Sequence, residues 1–469
     1  MKNRSYILSF LGIIAGLFAA ITAPAQDKVV STEQNYAASS PAVVMVQTVF
    51  SATVYVNKVE MNERRFQLLV DSVKKLDTTG TMFTATEKLD IVVKALYNNP
   101  FRFFSGTREY FRQQHRIVSS GTGFFVSGDG YIVTNAHIID RDNSFIRRKF
   151  ILSTYQEVTD ANIKSLQLSW AMTLTDEQRN LLNNAYSIIY SQVSSMIIFD
   201  LKKDIYVQYR MNNEDTRLST ARMPARVIIK GKPMPGKDVA ILKVDSVKQV
   251  PTLPISKDSI PRIGEQVLVY GYPEPVTSNP YLAKETTIEP TLTAGVISAI
   301  KKSLRGWPVI QMDAVISHGS SGSPVCNNRG EVIGLATFGT LEQNTGVLAS
   351  SYNFAIPISV VKEYLDSAKV EVKQSESSLA YRDGLEFFYN QFYGKALNKF
   401  KTVKKLNESY PQLYYYIDAS NRKITSGEDR ETFLQKSVFR VIALVLILGG
   451  IFIFYRWQWK ARTVKGRLN

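Results

Sequence analysis

Three residues far apart along the chain carry side chains that together could perform nucleophilic chemistry. Ser321 lies in a glycine-framed segment, residues 318–324, where the backbone can turn tightly and aim N–H groups at one point. A serine hydroxyl is a weak nucleophile until a base removes its proton. His137 lies upstream as a candidate base, and Asp238 lies between the two as a candidate carboxylate. The order His, Asp, Ser is one of those that build a triad of nucleophile, base and carboxylate on unrelated folds, so we predict such a triad.

Two other residues compete for these roles. His318 lies three residues before Ser321 and is a rival base, although nearness in sequence is poor evidence of catalytic geometry. Asp313 lies eight residues before Ser321 and is a rival carboxylate. We favour His137 and Asp238, whose wide separation means that only a tertiary fold could bring them together.

Several segments of the chain resemble the HtrA/Deg-type, trypsin-like serine proteases. The match runs over roughly residues 40–367 with gaps. It comprises a hairpin, a turn, the segments around His137 and Asp238, a strand, the Ser321 loop and two closing segments: residues 120–125, 128–130, 131–137, 238–243, 293–298, 313–324, 330–335 and 353–357. The resemblance implies a mainly β fold, with two six-stranded antiparallel β-barrels and an active site in the cleft between them.

The role of each predicted site residue follows from its chemistry. His137 would accept the hydroxyl proton of Ser321 and later protonate the leaving amine, while Asp238 would hold the imidazole in the required tautomer. The N–H groups of Gly319 and Ser321 would receive the oxyanion. This chemistry uses no metal and no organic cofactor, and we expect none.

Residues near the nucleophile give a faint indication of substrate preference. Val315 lies six residues before Ser321, where trypsin-like enzymes that cut after Lys or Arg keep an acid. We therefore expect a small or medium apolar side chain at the cleaved position. We also expect a segment after Ser321 to form a substrate-binding wall that pairs with an extended peptide by strand addition. Its residues are Leu335, Ala336, Thr337, Phe338 and Gly339.

Two stretches with helical periodicity interrupt the predicted strands. Apolar residues recur at helical spacing between residues 58 and 111, before the hairpin at Gly121. A second helical stretch, residues 156–196, follows His137 and contains a capping-box pattern that starts at Thr175. We predict both stretches to be helical insertions in the protease domain, residues 40–367.

After the protease match, residues 376–425 resemble one tetratricopeptide-type helical hairpin. Small residues at Gly384 and Ala396 would let its two helices approach closely. Since one repeat cannot bury both of its faces, we expect the hairpin to pack on the protease or on another subunit, and it could bind a protein partner. A plain helical spacer is the alternative interpretation. No PDZ module is evident in the sequence.

Both ends of the chain carry apolar segments. Residues 1–25 have the basic start, apolar run and small-residue site of a secretory signal peptide. Residues 438–457 are long and apolar enough to cross a membrane once. Residues 458–469 are basic, so the positive-inside rule places this tail in the cytoplasm. We predict a single-pass protein of the cytoplasmic (inner) membrane, with its protease domain on the periplasmic or extracytoplasmic side.

The composition narrows the choice of compartment and partners. The net charge of +16 favours attraction to anionic membrane lipid or to acidic proteins. Nucleic acid is not an expected partner, because the chain shows no nucleic-acid motif and is predicted to be exported. Cys326 is the single cysteine, so no internal disulfide can form, which favours a bacterial envelope protein. A homo-oligomer is compatible with these features.

The leading hypothesis is a membrane-anchored serine endopeptidase that hydrolyses peptide bonds of envelope proteins, and the resemblance implies that these are unfolded or damaged. The alternative is a non-enzymatic protein that uses a protease-like barrel and a helical hairpin to bind peptides or organise a complex. Turnover separates the two hypotheses, because a binding protein would hold a peptide without cutting it.

Overall fold

The computed structural model describes most of the chain after the predicted signal peptide. The described residues are 30–76, 83–171, 173–193, 197–212, 218–257, 261–283, 286–341 and 348–465. The predicted signal peptide, residues 1–25, and the last four residues of the predicted basic tail lie outside them.

The N-terminal sheet is built around two long strands, β1 (Val43–Met61) and β2 (Phe104–Phe125). They pair antiparallel along almost their whole length, from Val43 opposite Phe124 to Met61 opposite Phe104. The shorter strands of the sheet are β3 (Tyr131–Thr134), β4 (Ile197–Asn212), β5 (Leu218–Pro224), β6 (Arg226–Lys230) and β7 (Ala240–Lys243). The order across the sheet is β5-β4-β1-β2-β3-β7-β6, and every neighbouring pair is antiparallel.

The second sheet closes on itself as a six-stranded barrel. Its strands are β8 (Gln266–Gly271), β9 (Thr291–Lys302), β10 (Pro308–Met312), β11 (Pro324–Cys326), β12 (Val332–Leu341) and β13 (Leu348–Pro357). The order around the barrel is β10-β13-β12-β11-β8-β9. Buried aliphatic side chains such as Ile310 and Val325 fill its interior.

The prediction of two six-stranded barrels is confirmed for one barrel and wrong for the other. Hydrogen bonds close the ring of β8 to β13, whereas the N-terminal sheet has seven strands and is not closed within the described residues. The description as mainly β is also too narrow, because the structure is 44% helical. Both differences have one cause: β1, β2 and β4 are much longer than the other strands of their sheet and carry a layer of inserted helices.

Helices lie before the N-terminal sheet and in the chain segments that connect its strands. They are α1 (Thr32–Ser39), α2 (Glu63–Lys74), α3 (Ala85–Asn98), α4 (Pro100–Phe103), α5 (Ala136–Ile139), α6 (Asn143–Trp170) and α7 (Asp176–Val193), with a 3₁₀ helix at Ser40–Ala42. The first insertion is narrower than residues 58–111, because its ends continue β1 and β2. The second is longer than residues 156–196, because α6 begins at Asn143.

The two insertions share one apolar core. Side chains of α3, α6 and α7 pack against each other and against Val54 and Val56 of β1. The fully buried residues that these helices contribute to this core include Val93, Leu96, Phe150, Ile163, Leu182 and Ile189. The predicted capping box is present, since Gln178 N–H donates to Thr175 Oγ1 and Thr175 N–H donates to Gln178 Oε1. The insertions therefore form a single helical layer on the β1–β2 arm.

A third helical group follows the barrel. It comprises α9 (Ile358–Ser367), α10 (Glu376–Tyr389), α11 (Tyr393–Leu406) and α12 (Leu413–Thr425), while the short helix α8 (Glu274–Thr277) lies within the barrel region. Helices α10 to α12 enclose a cluster of aromatic rings that includes Tyr381, Phe400 and Tyr416. A Cβ at Gly384 would lie 2.6 Å from the Phe400 ring, so glycine permits this close packing. The group packs on the preceding β domain, where Ser377 Oγ donates to the carbonyl of Gln249 at 2.7 Å.

The last helix, α13 (Arg430–Lys465), is 36 residues long. Among the described residues it is the one helix long and apolar enough to cross a membrane, over Val438–Trp457. Its apolar side chains are exposed along this segment, as those of a lipid-facing helix would be.

Candidate active site

Pairing of β3 with β7 brings His137 and Asp238 together. The strands are antiparallel with Thr134 opposite Ala240, so the residues just beyond these paired ends meet. The N–H of Ala136 donates to the carbonyl of Asp238 at 3.2 Å. The N–H of His137 donates to one carboxylate oxygen of Asp238 at 2.8 Å, and Nδ1 of its ring lies 2.7 Å from the other. Main chain and side chain thus hold the imidazole in one orientation.

Asp238 is fully buried, yet both of its carboxylate oxygens have donors. The second donor to Oδ2, beside the His137 ring, is the hydroxyl of Thr337 at 2.7 Å. Because a carboxylate only accepts hydrogen bonds, Nδ1 of His137 carries the proton and Nε2 is left as the acceptor. This is the tautomer that a general base requires.

The loop of Ser321 is shaped by two glycines with positive φ, Gly319 at +88° and Gly322 at +86°. Thr122 of β2 ties this loop down: its N–H donates to the carbonyl of Ser321 and its hydroxyl donates to that of Gly319, both at 2.8 Å. A Cβ at Gly319 would overlap the carbonyl of Tyr272, and one at Gly322 would overlap that of Thr122. Within the described residues, the N–H groups of Gly319 and Ser321 have no acceptor, so both remain available to bind an oxyanion.

The hydroxyl of Ser321 is turned away from the imidazole. It donates to the carbonyl of Thr337 at 2.9 Å, and no hydrogen bond joins it to His137 among the described contacts. Ser321, His137, Asp238 and Gly319 nevertheless line one cleft of about 780 Å³. A serine side chain has three staggered rotamers, and catalytic hydrogen bonds are often unformed without substrate. Rotation about one bond redirects the hydroxyl without any change of the backbone.

The rival base and the rival carboxylate occupy different surroundings. His318 also lines the cleft, but its described contact is through its carbonyl, which accepts from the N–H of Glu274 at 2.6 Å. Asp313 Oδ1 accepts from the N–H of Val296 at 2.6 Å, which fixes this carboxylate on β9. Neither residue joins the hydrogen-bonded group of His137, Asp238 and Thr337.

The only cysteine is shielded from this chemistry. Cys326 is fully buried in the barrel, and burial raises the pKa of its thiol to about 12. Since the thiolate is the reactive form, Cys326 is inert at neutral pH.

The predicted substrate wall is only partly available. The side chains of Leu335 and Ala336 are fully buried, so neither side chain is exposed to a substrate in this structure. Leu335 pairs with β11 on one side and β13 on the other, and the N–H and carbonyl of Ala336 both bond to the Ser321 loop. The pairing of β11 ends at Leu335, and no strand among the described residues pairs with that side of β12 at Phe338 and Gly339. Strand addition therefore remains a prediction for this outer part alone.

Val315 and Thr337, two of the predicted substrate-binding residues, have different surroundings. Val315 is 52% exposed, and its carbonyl accepts from the hydroxyl of Thr293 at 2.9 Å. Thr337 is buried and holds Asp238, a positioning role that the sequence did not indicate. Thr122 was also missed, although it lies in the Gly-Thr-Gly hairpin that carries part of the family resemblance.

Replacement of Thr337 by valine is expected to lower kcat about tenfold with little change in KM, because a buried carboxylate loses one charge-assisted donor. Thr337→Ser keeps the hydroxyl and is expected to restore most of the activity. Steady-state kinetics measure kcat and KM of both variants, and thermal unfolding establishes that both are folded. Equal activity of the valine and serine variants would show that the hydroxyl does not position Asp238.

Comparisons with known proteins agree with this geometry. A family model described as the trypsin-like peptidase domain matches residues 200–335, a segment that includes Asp238 and Ser321. Serine endoprotease DegS of Escherichia coli (strain K12) is 32% identical over 133 residues, which cover 28% of this chain and 34% of DegS. Serine protease HTR4 of Bos taurus is 25% identical over 291 residues, or 61% of this chain and 37% of the relative. A probable periplasmic serine endoprotease, DegP-like, of Hahella chejuensis is 27% identical over 57% of this chain and 39% of its own length.

The fold, the cleft and these matches define a protein with a trypsin-like peptidase domain. Within that class, the relatives that the chain matches are serine proteases of the DegS, DegP-like and HTRA type, in line with the resemblance seen in the sequence. The chain spans a quarter to two fifths of the length of the curated relatives that it matches.

Proposed function

We propose that this protein is a serine endopeptidase that hydrolyses peptide bonds of polypeptides with His137, Asp238 and Ser321. The observation that carries the proposal is the 2.7 Å contact between His137 Nδ1 and the fully buried carboxylate of Asp238, in the same cleft as Ser321. A buried carboxylate that fixes the tautomer of a cleft histidine is what a serine nucleophile needs from its base.

The reaction begins when the Ser321 hydroxyl leaves the carbonyl of Thr337 and turns to His137. Nε2 of His137 takes the hydroxyl proton as Oγ bonds to the substrate carbonyl carbon. The carbonyl oxygen becomes an oxyanion that accepts from the N–H groups of Gly319 and Ser321. The C–N bond then breaks, the imidazolium gives its proton to the leaving amine, and water releases the acyl group by the same steps in reverse.

The protease is anchored by α13 in this proposal. Its apolar segment Val438–Trp457 crosses the cytoplasmic membrane, and the basic residues after it lie in the cytoplasm. The protease domain is then outside the cytoplasm, where its substrates are envelope proteins that are unfolded or damaged. The Hahella relative is named as a probable periplasmic serine endoprotease, which supports this side of the membrane.

Active-site labelling of the full chain in detergent micelles tests the proposal. A fluorescent fluorophosphonate is expected to label the wild-type protein covalently and to leave Ser321→Ala unlabelled. Ser323→Ala is the matched control, because it removes a buried hydroxyl from the same loop that has no hydrogen-bond partner in the structure. Labelling of Ser321→Ala equal to wild type, or absence of casein cleavage by a labelled wild-type protein, would contradict the proposed activity.

A further inference from the structure

Two cations of the second insertion face the cleft beside the triad. Arg141 lies just before α6, and Phe145 and Lys149 follow at intervals of one helical turn. All three line the cleft. The guanidinium of Arg141 lies 5.4 Å from the centre of the Phe145 ring, and Nζ of Lys149 lies 5.8 Å from it. The aromatic ring therefore separates two positive charges that both border the active site.

Neither cation forms a direct ion pair within the described residues, although the charge of Asp238 acts on Arg141 from a distance. No carboxylate lies within ion-pair distance of Arg141 or Lys149 in the part of the chain that the structure describes. Arg141 is half-buried, and its described hydrogen bond is from Nε to the neutral hydroxyl of Ser119 at 3.2 Å. Desolvation lowers the pKa of Arg141, but a guanidinium stays charged at neutral pH. A half-buried, unpaired guanidinium is a strong receptor for a carboxylate.

The position of Arg141 assigns it to one half of the cleft. Ser321 lies between two strands, since its hydroxyl donates to Thr337 of β12 and its carbonyl accepts from Thr122 of β2. Ser119 and Ser120 of β2 also line the cleft, and Arg141 is hydrogen-bonded to Ser119. If the acyl part of a substrate pairs with β12, the part that follows the scissile bond passes Ser119 and reaches Arg141.

We propose that Arg141 and Lys149 select substrates with an acidic side chain shortly after the scissile bond. This inference rests on the proposed function and names its substrate class. The cleft also holds two carboxylates: Asp238, whose oxygens accept from His137 and Thr337, and Glu274, whose N–H donates to the carbonyl of His318 in the serine loop. Both cations of the cleft come from the second insertion, where a substrate Asp or Glu would pair with Arg141 and extend its stem along the Phe145 ring.

Matched peptides test this selection. A peptide that the full-length enzyme cuts once is identified from a casein digest by mass spectrometry. It is then made in two forms that differ only after the cut, one with Asp and Glu and one with Asn and Gln. The wild-type enzyme is expected to have a kcat/KM about tenfold higher for the acidic form, because a partly screened charge pair forms with the substrate. This preference is expected to become smaller at high salt concentration. The double variant Arg141→Gln, Lys149→Gln is expected to lose this preference, so that its kcat/KM is about equal for the two forms.

A charge-matched control separates a local site from the general positive field. Arg147→Gln, Arg148→Gln removes the same charge from α6 at exposed residues that do not line the cleft, and it should keep the preference. Lys149→Gln alone changes only an exposed side chain, so this variant is expected to fold and to lose part of the preference for the acidic peptide. Three outcomes would each overturn the proposal. The wild-type enzyme could show no preference for the acidic peptide, the double variant Arg141→Gln, Lys149→Gln could keep the preference, or the control variant could lose it equally.

Binding distinguishes failure of this inference from failure of the proposed function. Fluorescence anisotropy measures the binding of a labelled synthetic casein segment, chosen independently of cleavage and made in an acidic form and an amide form, to Ser321→Ala with and without the Arg141→Gln, Lys149→Gln changes. If the wild-type protein cuts no peptide, the proposed function fails. An acidic preference in binding that depends on Arg141 and Lys149 would still support the site, and equal binding of both forms would reject it.

Discussion

The variant His137→Ala is expected to lose at least about 10⁴-fold in kcat on a peptide that the wild-type enzyme cleaves. His137 is the imidazole whose Nδ1 is fixed by a buried carboxylate, so its removal leaves Ser321 without a base. His318→Ala is the matched control, because it removes the other histidine of the cleft. We expect it to lose less than about tenfold, since its described contact is through the backbone carbonyl.

Single-turnover kinetics on the full chain measure both variants, and circular dichroism establishes that they are folded. A loss in His318→Ala as large as that in His137→Ala would mean that the base has been assigned to the wrong residue. A mild loss in His137→Ala alone would mean that the triad does not form during catalysis.

The variant Asp238→Asn is expected to keep the fold and to lose about 10⁴-fold in kcat. Asparagine has the shape of aspartate, but its amide group cannot accept at both oxygen positions as the carboxylate does. Three donors now converge on the carboxylate: the His137 N–H, the His137 ring and the Thr337 hydroxyl. With asparagine the ring is expected to adopt the other tautomer, which turns a protonated Nε2 toward Ser321 and removes the base.

Asp313→Asn is the control for this prediction. Its Oδ1 accepts a single backbone hydrogen bond from Val296, and an asparagine oxygen can replace it. Activity within about threefold of wild type is expected, since a neutral acceptor replaces a charged one away from the triad. The rates of both variants are measured across a range of pH. A rate of Asp238→Asn that approaches the wild-type rate at high pH would indicate that hydroxide replaces the missing base. A smaller loss in Asp238→Asn than in Asp313→Asn would reverse their roles.

The grouping of His137 with Asp238 could be foreseen from sequence, because both residues lie in segments with recognisable family patterns. The structure explains the grouping through one antiparallel strand pair, β3 with β7. The closed barrel could be foreseen in the same way, from strand-like segments in a familiar order. The helical periodicity of both insertions was also visible, since an apolar stripe of period 3.6 is a local property.

Other features depend on contacts that no local pattern encodes. The long β1 and β2 were predicted as helix at their far ends, because their exposed residues lack the alternation of a half-buried strand. Leu335 and Ala336 were assigned to the substrate, yet both sides of their strand are occupied by neighbouring backbone. The roles of Thr337 and Arg141 arise from tertiary neighbours, so neither could be read from the sequence.

The start of α13 determines how far the catalytic cleft can reach. Only four residues separate α12 from α13, and Arg430 N–H donates to the carbonyl of Gln391, which ties the last helix to the turn between α10 and α11. The apolar segment begins at Val438, eight residues later, which is about 12 Å along a helix. With α13 in a bilayer, the enzyme works on a short, stiff stalk, and a protein is cut only when it comes within a domain's breadth of the lipid surface.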